Sequence, residues 1–222
     1  MEIASYIDHT ILKPTTTIAD VEKVCSEAIE YHFAAVCIPP YFVKKAFNLV
    51  ENTAVKLATV IGFPFGYNPY AAKLTEVKKA IKDKANEIDI VMNLAAFKDK
   101  NFTYLTKEIG AITTIARMNN VTTKLIIETA YLNEDELKEC CSLFGDSGIN
   151  FMKTSTGYAD KGATIEAVSI LRKHLPGEVK IKASGGIKTL SFARSLIEAG
   201  AERLGCSSSV ALINEERVSG GY

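Results

Sequence analysis

The sequence has no excess of charge of either sign, because 26 Lys and Arg residues balance 26 Asp and Glu residues in a chain of 222. Without a basic surplus or a block of like charges, neither nucleic-acid binding nor a charged interaction tail is expected. Long hydrophobic runs are also missing, since stretches such as residues 34–38 are far too short to cross a bilayer. Residues 1–5 show no start of a secretory signal. We therefore expect a cytoplasmic protein that binds neither membranes nor nucleic acid.

Cysteine and histidine are too few and too scattered for a disulfide framework or a metal site. The cysteines are Cys25, Cys37, Cys140, Cys141 and Cys206. Their odd number, and the adjacency of two of them, indicate reduced and mostly buried thiols. The three histidines are isolated, and no Cys-x-x-Cys or His-Glu-x-x-His spacing occurs. We expect a reaction that requires neither a metal nor another cofactor.

Short β-rich apolar runs alternate with amphipathic stretches along the whole chain. The pattern predicts strands near 6–8 and at 34–39, 56–62, 87–93, 124–128, 150–154, 179–183 and 202–206. It predicts helices at 17–32, 40–51, 69–85, 99–118, 133–147, 163–174, 189–199 and 207–213. Strict alternation indicates a parallel sheet, which is either open and doubly wound or closed into a barrel.

The number of units favours the closed arrangement. Eight units in 222 residues, without a Gly-x-Gly-x-x-Gly turn, favour a compact (β/α)8 TIM barrel. No linker or change of composition divides the chain, so one domain over residues 1–222 is expected. Its C-terminal tail, from about 216 to 222, is expected to be flexible because it contains two glycines.

Three charged residues interrupt predicted strands that should be apolar in a buried parallel sheet. Asp89 lies within one strand, and Lys153 and Lys182 lie near the C-terminal ends of two consecutive strands. If those two strands share the same inward parity, both lysines point into the mouth of the barrel, where barrel enzymes hold their reacting groups.

Two lysines and an aspartate in one barrel mouth suit imine chemistry. Burial and repulsion between like charges lower the pKa of a lysine, which gives a free amine able to attack a carbonyl. The protonated imine then accepts electrons while an adjacent carbon–carbon bond is made or broken, and a carboxylate moves the protons. These residues therefore predict a metal-independent aldolase, with a structural Lys–Asp pair bridging the barrel as the alternative.

Glycine- and serine-containing loops follow the last two predicted strands. The first loop contains Gly185 and Gly186, and the second contains Gly205, Ser207 and Ser208 and opens a helix. Backbone N–H groups of such loops, together with a helix N-terminus, favour a bound phosphate. The loops therefore predict a phosphate site, and the alternative for each is a tight turn with ordinary capping.

An ordered series of segments resembles the deoxyribose-phosphate aldolase family, which consists of class I aldolases with a (β/α)8 barrel. The segments are residues 8–14, 36–40, 60–66, 87–93, 126–129, 151–157 and 181–187. The resemblance covers nearly the whole chain. It implies reversible cleavage of 2-deoxy-D-ribose 5-phosphate to D-glyceraldehyde 3-phosphate and acetaldehyde, and a place in deoxyribonucleotide catabolism.

The resemblance also implies roles for the polar strand residues. Lys153 matches the lysine that forms the Schiff base with the substrate. Lys182 matches a second lysine whose charge keeps the nucleophile deprotonated. Asp89 matches the acid/base aspartate that relays protons with Lys182 and water.

Further roles follow from the same resemblance. The positions that match phosphate-binding residues are Gly185, Gly186, Gly205, Ser207 and Ser208. Asp8 and Thr156 match polar residues that line the substrate channel, and Cys37 matches a cysteine near the substrate. Tyr222 matches the end of a mobile arm that assists proton transfer, although a tail without function is the alternative that composition alone favours. Residues 158–161 depart from the family pattern, which puts phosphate access in question.

Two other functions compete with the aldolase. Another phosphate-binding barrel, such as a sugar-phosphate isomerase, would need a carboxylate base with an electrophilic neighbour instead of paired lysines. A non-catalytic sensor of phosphorylated sugars would bind its ligand without a covalent bond. For each function the expected partner is a small phosphorylated sugar, and barrels of this type often form homo-oligomers, with a dimer favoured.

Overall fold

The computed structural model describes residues 3–219, and in it eight parallel strands close into a barrel. Each strand pairs with the next one along the chain, and the last pairs with the first. The strands are β1 (Ile7–Thr10), β2 (Ala35–Ile38), β3 (Lys56–Ile61), β4 (Glu87–Val91), β5 (Thr122–Ile126), β6 (Phe151–Lys153), β7 (Lys180–Ser184) and β8 (Arg203–Cys206). The closed barrel, rather than the open sheet, is thereby confirmed.

Helices fill the connections between the strands. They are α1 (Ile18–Glu30), α2 (Val43–Val50), α3 (Tyr70–Lys82), α4 (Leu94–Lys98), α5 (Phe102–Met118), α6 (Glu134–Phe144), α7 (Ile165–His174), α8 (Leu190–Glu198) and α9 (Ser209–Ser219). Side-chain caps fix several of their first turns. Thr17 with Asp20 and Asn133 with Glu136 form complete capping boxes at α1 and α6. No helix among residues 3–219 is long and apolar enough to cross a membrane.

Alternation along the strands separates an apolar layer from a polar interior. Ile88 and Ile90 of β4 belong to the main hydrophobic core between the barrel and its helices. Asp89 lies between them in sequence, so its side chain points the other way, into the barrel. A small separate cluster of Cys37, Ala58 and Val60 packs inside the barrel. The same period of two directs one charged residue from each of several strands inward.

Some element boundaries differ from the prediction. The helix predicted at 99–118 begins only at Phe102, because Lys100 has a left-handed backbone (φ 55°) and Asn101 caps α5. Strand β5 covers 122–126 instead of 124–128. Glu128 has φ 52°, a left-handed conformation that does not continue a strand.

The last helix is longer than the sequence pattern predicts. Helix α9 continues to Ser219 instead of ending at 213, because side chains of its second half contact α8. Glu215 accepts a hydrogen bond from the backbone N–H of Leu190 at 3.0 Å, and Glu216 pairs with Arg194 at 3.2 Å. Part of the predicted flexible tail is therefore helical, and residues 220–222 lie outside the described residues.

Candidate active site

Lys153 and Lys182 are neighbours across the β6–β7 pairing, as their spacing predicts. They are register partners at the C-terminal end of the pairing between these strands. The Nζ atoms of both lysines lie 2.8 Å from the same oxygen, Oδ2 of Asp89 on β4. All three side chains are almost completely buried. The barrel thus brings together the three residues that the sequence singled out for covalent chemistry.

A second layer of charges lies beneath these three residues, and the sequence analysis did not identify it. Lys124 of β5 donates to Asp89 Oδ1 at 2.8 Å and lies 2.5 Å from Glu87. Arg203 of β8 contacts Asp8 at 2.6 Å and Glu87 at 3.5 Å. The signal for Lys124 is the one that marked Asp89, a charged residue at an inward position of a buried strand.

Asp8 links the two layers. Its carboxylate contacts Lys182 on one side and Arg203 on the other, and Lys124 Nζ lies 3.7 Å away. Burial would raise the pKa of Asp8, but the surrounding cations hold it well below its usual range. Asp8 is completely buried and is not among the residues that line the cavity described below, so its place beside the substrate stays a prediction from the resemblance.

The environment makes Lys153 the lysine with the lowered pKa. Burial lowers the pKa of Lys153, and repulsion from Lys182 adds to that effect against the attraction of Asp89. Lys182 differs because it contacts two carboxylates, Asp8 and Asp89. They outweigh its burial and raise its pKa. One lysine therefore holds its proton weakly while its neighbour holds it firmly.

A count of formal charges in the contact network around Asp89 and Asp8 gives the same result. Its three carboxylates are Asp8, Glu87 and Asp89, and its four bases are Lys124, Lys153, Lys182 and Arg203. Attraction to these carboxylates outweighs burial at Lys124 and at Arg203 and raises both pKa values. With Lys182 also protonated, three cations neutralise three carboxylates. A proton on Lys153 would add an uncompensated charge in a buried site, which is costly.

A cavity of about 510 Å³ opens at the C-terminal ends of the strands. The predicted site residues that line it are Lys153, Thr156, Gly185, Gly186, Gly205 and Ser207. Asp89, Lys182 and Cys37 lie deeper and are fully buried. Burial raises the pKa of the Cys37 thiol to about 11, and Asp89 contributes to that rise. Cys37 is therefore a neutral thiol at physiological pH.

Glycine is required at Gly185 and Gly186 of the first loop and at Gly205, which lies in β8 just before the second loop. Gly185 and Gly186 have φ values of 84° and 76°, which other residues rarely adopt. A Cβ on Gly205 would lie 2.8 Å from the side chain of Ser184, so only glycine fits there. Helix α9 begins immediately after the second loop, at Ser209. The loops therefore present backbone groups and a helix N-terminus close to the cavity.

Ser208 and Tyr222 differ from the other predicted site residues. Ser208 is half-buried at the start of α9, where its carbonyl accepts the N–H of Leu212 at 3.2 Å, and it is not among the cavity-lining residues. Tyr222 lies outside the described residues. Its assignment therefore stays a prediction from the resemblance.

The loop after β6 is fastened by Glu128. Its carboxylate accepts hydrogen bonds from the backbone N–H of Thr156 at 3.2 Å and from the Thr156 hydroxyl. Burial raises the pKa of Glu128. Further along, Tyr158 donates its hydroxyl proton to Leu12 O at 2.8 Å and packs edge-on against Phe63. The unusual aromatic residue at 158 therefore closes one side of the cavity wall instead of obstructing the glycine loops.

Comparison with known proteins gives the family of the chain. Residues 3–212 match the family model described as DeoC/LacD family aldolase. A deoxyribose-phosphate aldolase of Caldicellulosiruptor saccharolyticus is 45% identical over 97% of this chain and 98% of its own length. One of Thermococcus kodakarensis is 46% identical over 96% of each chain.

A solved structure gives the same answer. The tetrameric deoxyribose phosphate aldolase of Aeropyrum pernix superposes with a TM-score of 0.91 at 31% identity, covering 97% of this chain and 91% of that one. Fold and sequence thus match this family along nearly the whole length of the chain. The chain belongs to the DeoC/LacD family and is an aldolase.

Proposed function

We propose that the protein reversibly cleaves 2-deoxy-D-ribose 5-phosphate to D-glyceraldehyde 3-phosphate and acetaldehyde, with Lys153 as the nucleophile. The observation that carries this proposal is the arrangement of the two lysines around Asp89. Lys153 has a lowered pKa and borders the cavity, and Lys182 and Asp89 lie in contact below it. Relatives that are 45% and 46% identical over nearly the whole chain carry the name of this activity.

The first half of the reaction forms the imine. The free amine of Lys153 attacks C1 of the open-chain sugar and gives a carbinolamine. Lys182 holds a proton, so it protonates the departing hydroxyl, which leaves as water. Asp89 contacts both Nζ atoms and holds them in position for this transfer. The resulting iminium carries the positive charge next to the Asp89 carboxylate, which stabilises it.

The second half breaks the carbon–carbon bond. Lys182, which gave up its proton in the first half, takes the proton of the C3 hydroxyl directly or through water, and the C2–C3 electron pair moves into the iminium. D-glyceraldehyde 3-phosphate leaves, and an enamine of acetaldehyde stays on Lys153. Protonation at C2 and addition of water then release acetaldehyde and restore the amine. From the resemblance, we propose that Tyr222 assists the proton transfer at C2.

The phosphate is proposed to bind at the glycine loops. A dianion is suited to the backbone of Gly185, Gly186 and Gly205, to the hydroxyl of Ser207 and to the N-terminus of α9. Lys153 and these loops line the same cavity. Binding at the loops therefore holds the other end of the sugar near the amine.

Two measurements test the proposed function. Incubation with 2-deoxy-D-ribose 5-phosphate should release acetaldehyde, and borohydride added with the substrate should increase the mass of the protein at Lys153. Lys153→Met should abolish both signals. A sugar-phosphate isomerase would consume substrate without acetaldehyde, and a sensor would bind without an adduct. Either result would contradict the proposal.

The assembly and the compartment are also part of the proposal. The Aeropyrum pernix relative is described as tetrameric, and we propose that this chain forms a homo-oligomer with a dimer as its basic unit. Light scattering at assay concentration would give its mass. All five cysteines are buried with free thiols, which is consistent with a reducing cytoplasm.

A further inference from the structure

His9 joins three elements beside the second glycine loop, and the mechanism above does not use it. It lies on β1, and its side chain is only 4% exposed. Its Nδ1 atom is 2.9 Å from the hydroxyl of Ser209, the first residue of α9. Its Nε2 atom is 2.7 Å from the carboxylate of Glu27 on α1. The ring of Phe33 packs against the imidazole at a centroid distance of 5.3 Å.

The carboxylate of Glu27 fixes the direction of one of these two bonds. It can only accept, so His9 Nε2 carries a proton and donates to it. The Ser209 hydroxyl lies 2.9 Å from Nδ1 and 3.1 Å from Cys206 O, and it can donate to either of them. In each case His9 links α1 to the first residue of α9 through two hydrogen bonds.

The imidazole ring lies beside the predicted phosphate loop. His9 is the register partner of Cys206, where β1 pairs with β8, and Gly205 and Ser207 flank Cys206 in the chain. Ser209 connects that loop to α9. His9 and Glu27 also belong to the residues that line the cavity. Residue 9 thus contacts the end of β8 through its backbone and the first turn of α9 through its side chain.

We propose that His9 is a positioning residue for the substrate's phosphate group, an inference that rests on the proposed function. Through Ser209, the imidazole fixes the backbone of the segment from Gly205 to Ser207 in the shape that receives the dianion.

His9→Phe tests this inference, because it keeps a ring against Phe33 and removes both hydrogen bonds. We expect the KM for 2-deoxy-D-ribose 5-phosphate to rise roughly tenfold, which is the size of effect expected for a lost hydrogen bond to a charged group. The kcat for this substrate, and the kcat/KM for unphosphorylated 2-deoxy-D-ribose, should change little. Inhibition by inorganic phosphate should weaken by a similar factor.

Ser209→Ala is a second, smaller change that keeps His9 and Glu27 in contact. It should raise the same KM by a smaller factor, and combining it with His9→Phe should add little, because both substitutions remove one connection. His174→Phe makes the matched change at an exposed position on α7 and should leave all constants unaltered.

The outcomes separate this inference from the proposed function. If the wild-type enzyme releases no acetaldehyde, the proposed function fails. Titration calorimetry with inorganic phosphate still tests His9 in that case, because His9→Phe should weaken phosphate binding. An equal loss on the phosphorylated and the unphosphorylated sugar, or unchanged phosphate binding in both variants, would overturn the role of His9.

Discussion

Removal of the Lys182 charge should return a proton to Lys153. In Lys182→Met, a side chain of similar length replaces the buried ammonium. The contact network around Asp89 and Asp8 then keeps three carboxylates but only two firmly charged bases, Lys124 and Arg203. Lys153 then becomes the cation that restores neutrality. Because a protonated amine cannot attack a carbonyl, imine formation should be slow at neutral pH and recover as the pH rises.

The geometry gives the size of this effect. Both Nζ atoms lie 2.8 Å from the same Asp89 oxygen, so they are at most about 5.6 Å apart, and at an effective dielectric constant of about 20 their repulsion is about 3 kcal/mol. Loss of that repulsion changes the ratio of free amine to ammonium on Lys153 roughly a hundredfold. Trapping at pH 7 should slow by a comparable factor.

The assay should report on the amine alone. The initial rate of borohydride trapping with acetaldehyde, measured from neutral to alkaline pH, depends on imine formation and not on carbon–carbon cleavage. Lys180→Met is a matched control, since Lys180 lies on the same strand with its side chain 53% exposed and its Nζ 3.9 Å from Glu202. Its profile should match that of the wild type. If the pH profile of Lys182→Met also matches that of the wild type, Lys182 does not control the protonation of Lys153.

Three further predictions concern the nucleophile, the phosphate loop and the support of β4. Lys153→Arg should lose essentially all turnover because a guanidinium stays protonated, and an adduct mapped to Lys182 would reverse the two assignments. Gly186→Val strains a backbone with φ 76° and should raise the KM for the phosphorylated sugar more than that for deoxyribose. Lys73 donates to Val91 O of β4 at 2.9 Å, and Glu108→Leu removes its ion-pair partner, 3.0 Å away, so this substitution should lower the free energy of unfolding by about 3–5 kcal/mol in urea titrations.

The alternation of strands and helices was enough to predict the fold, because every unit of a (β/α)8 barrel repeats the same pattern. The boundaries were less predictable where a single backbone conformation decides them. Lys100 and Glu128 adopt left-handed conformations that residues of their type rarely favour, so no local signal marks the start of α5 or the end of β5. The extension of α9 depends on contacts with α8, which sequence periodicity does not record.

The candidate site was predictable only as far as strand parity was known. Asp89, Lys153 and Lys182 stand out because each places a charge in a predicted apolar strand, and the two lysines lie near the C-terminal ends of theirs. Lys124 does the same on β5 but was placed at the first position of a predicted strand, where a charge is unremarkable. The strand in fact begins at Thr122, and this difference of two residues turns Lys124 into a member of the buried network.

The contacts of His9 could not be predicted from the sequence. Glu27 and Ser209 are separated from it by 18 and 200 positions in the chain. Only the closure of β8 onto β1 brings α9 beside the first strand. Contacts of this kind arise from the closure of the barrel and not from any local pattern.

The difference between the two central lysines follows from position instead of residue type. Both are buried and both contact Asp89. Lys182 also contacts a second carboxylate, that of Asp8, whereas within residues 3–219 Lys153 forms an ion pair with Asp89 alone. Lys153 also borders the cavity, whereas Lys182 lies beneath it. A nucleophile needs both a free electron pair and access to the carbonyl, and a proton donor needs a firmly held charge close by. An exchange of the two roles would therefore require Asp8 to contact Lys153 and the cavity to open onto β7 at Lys182.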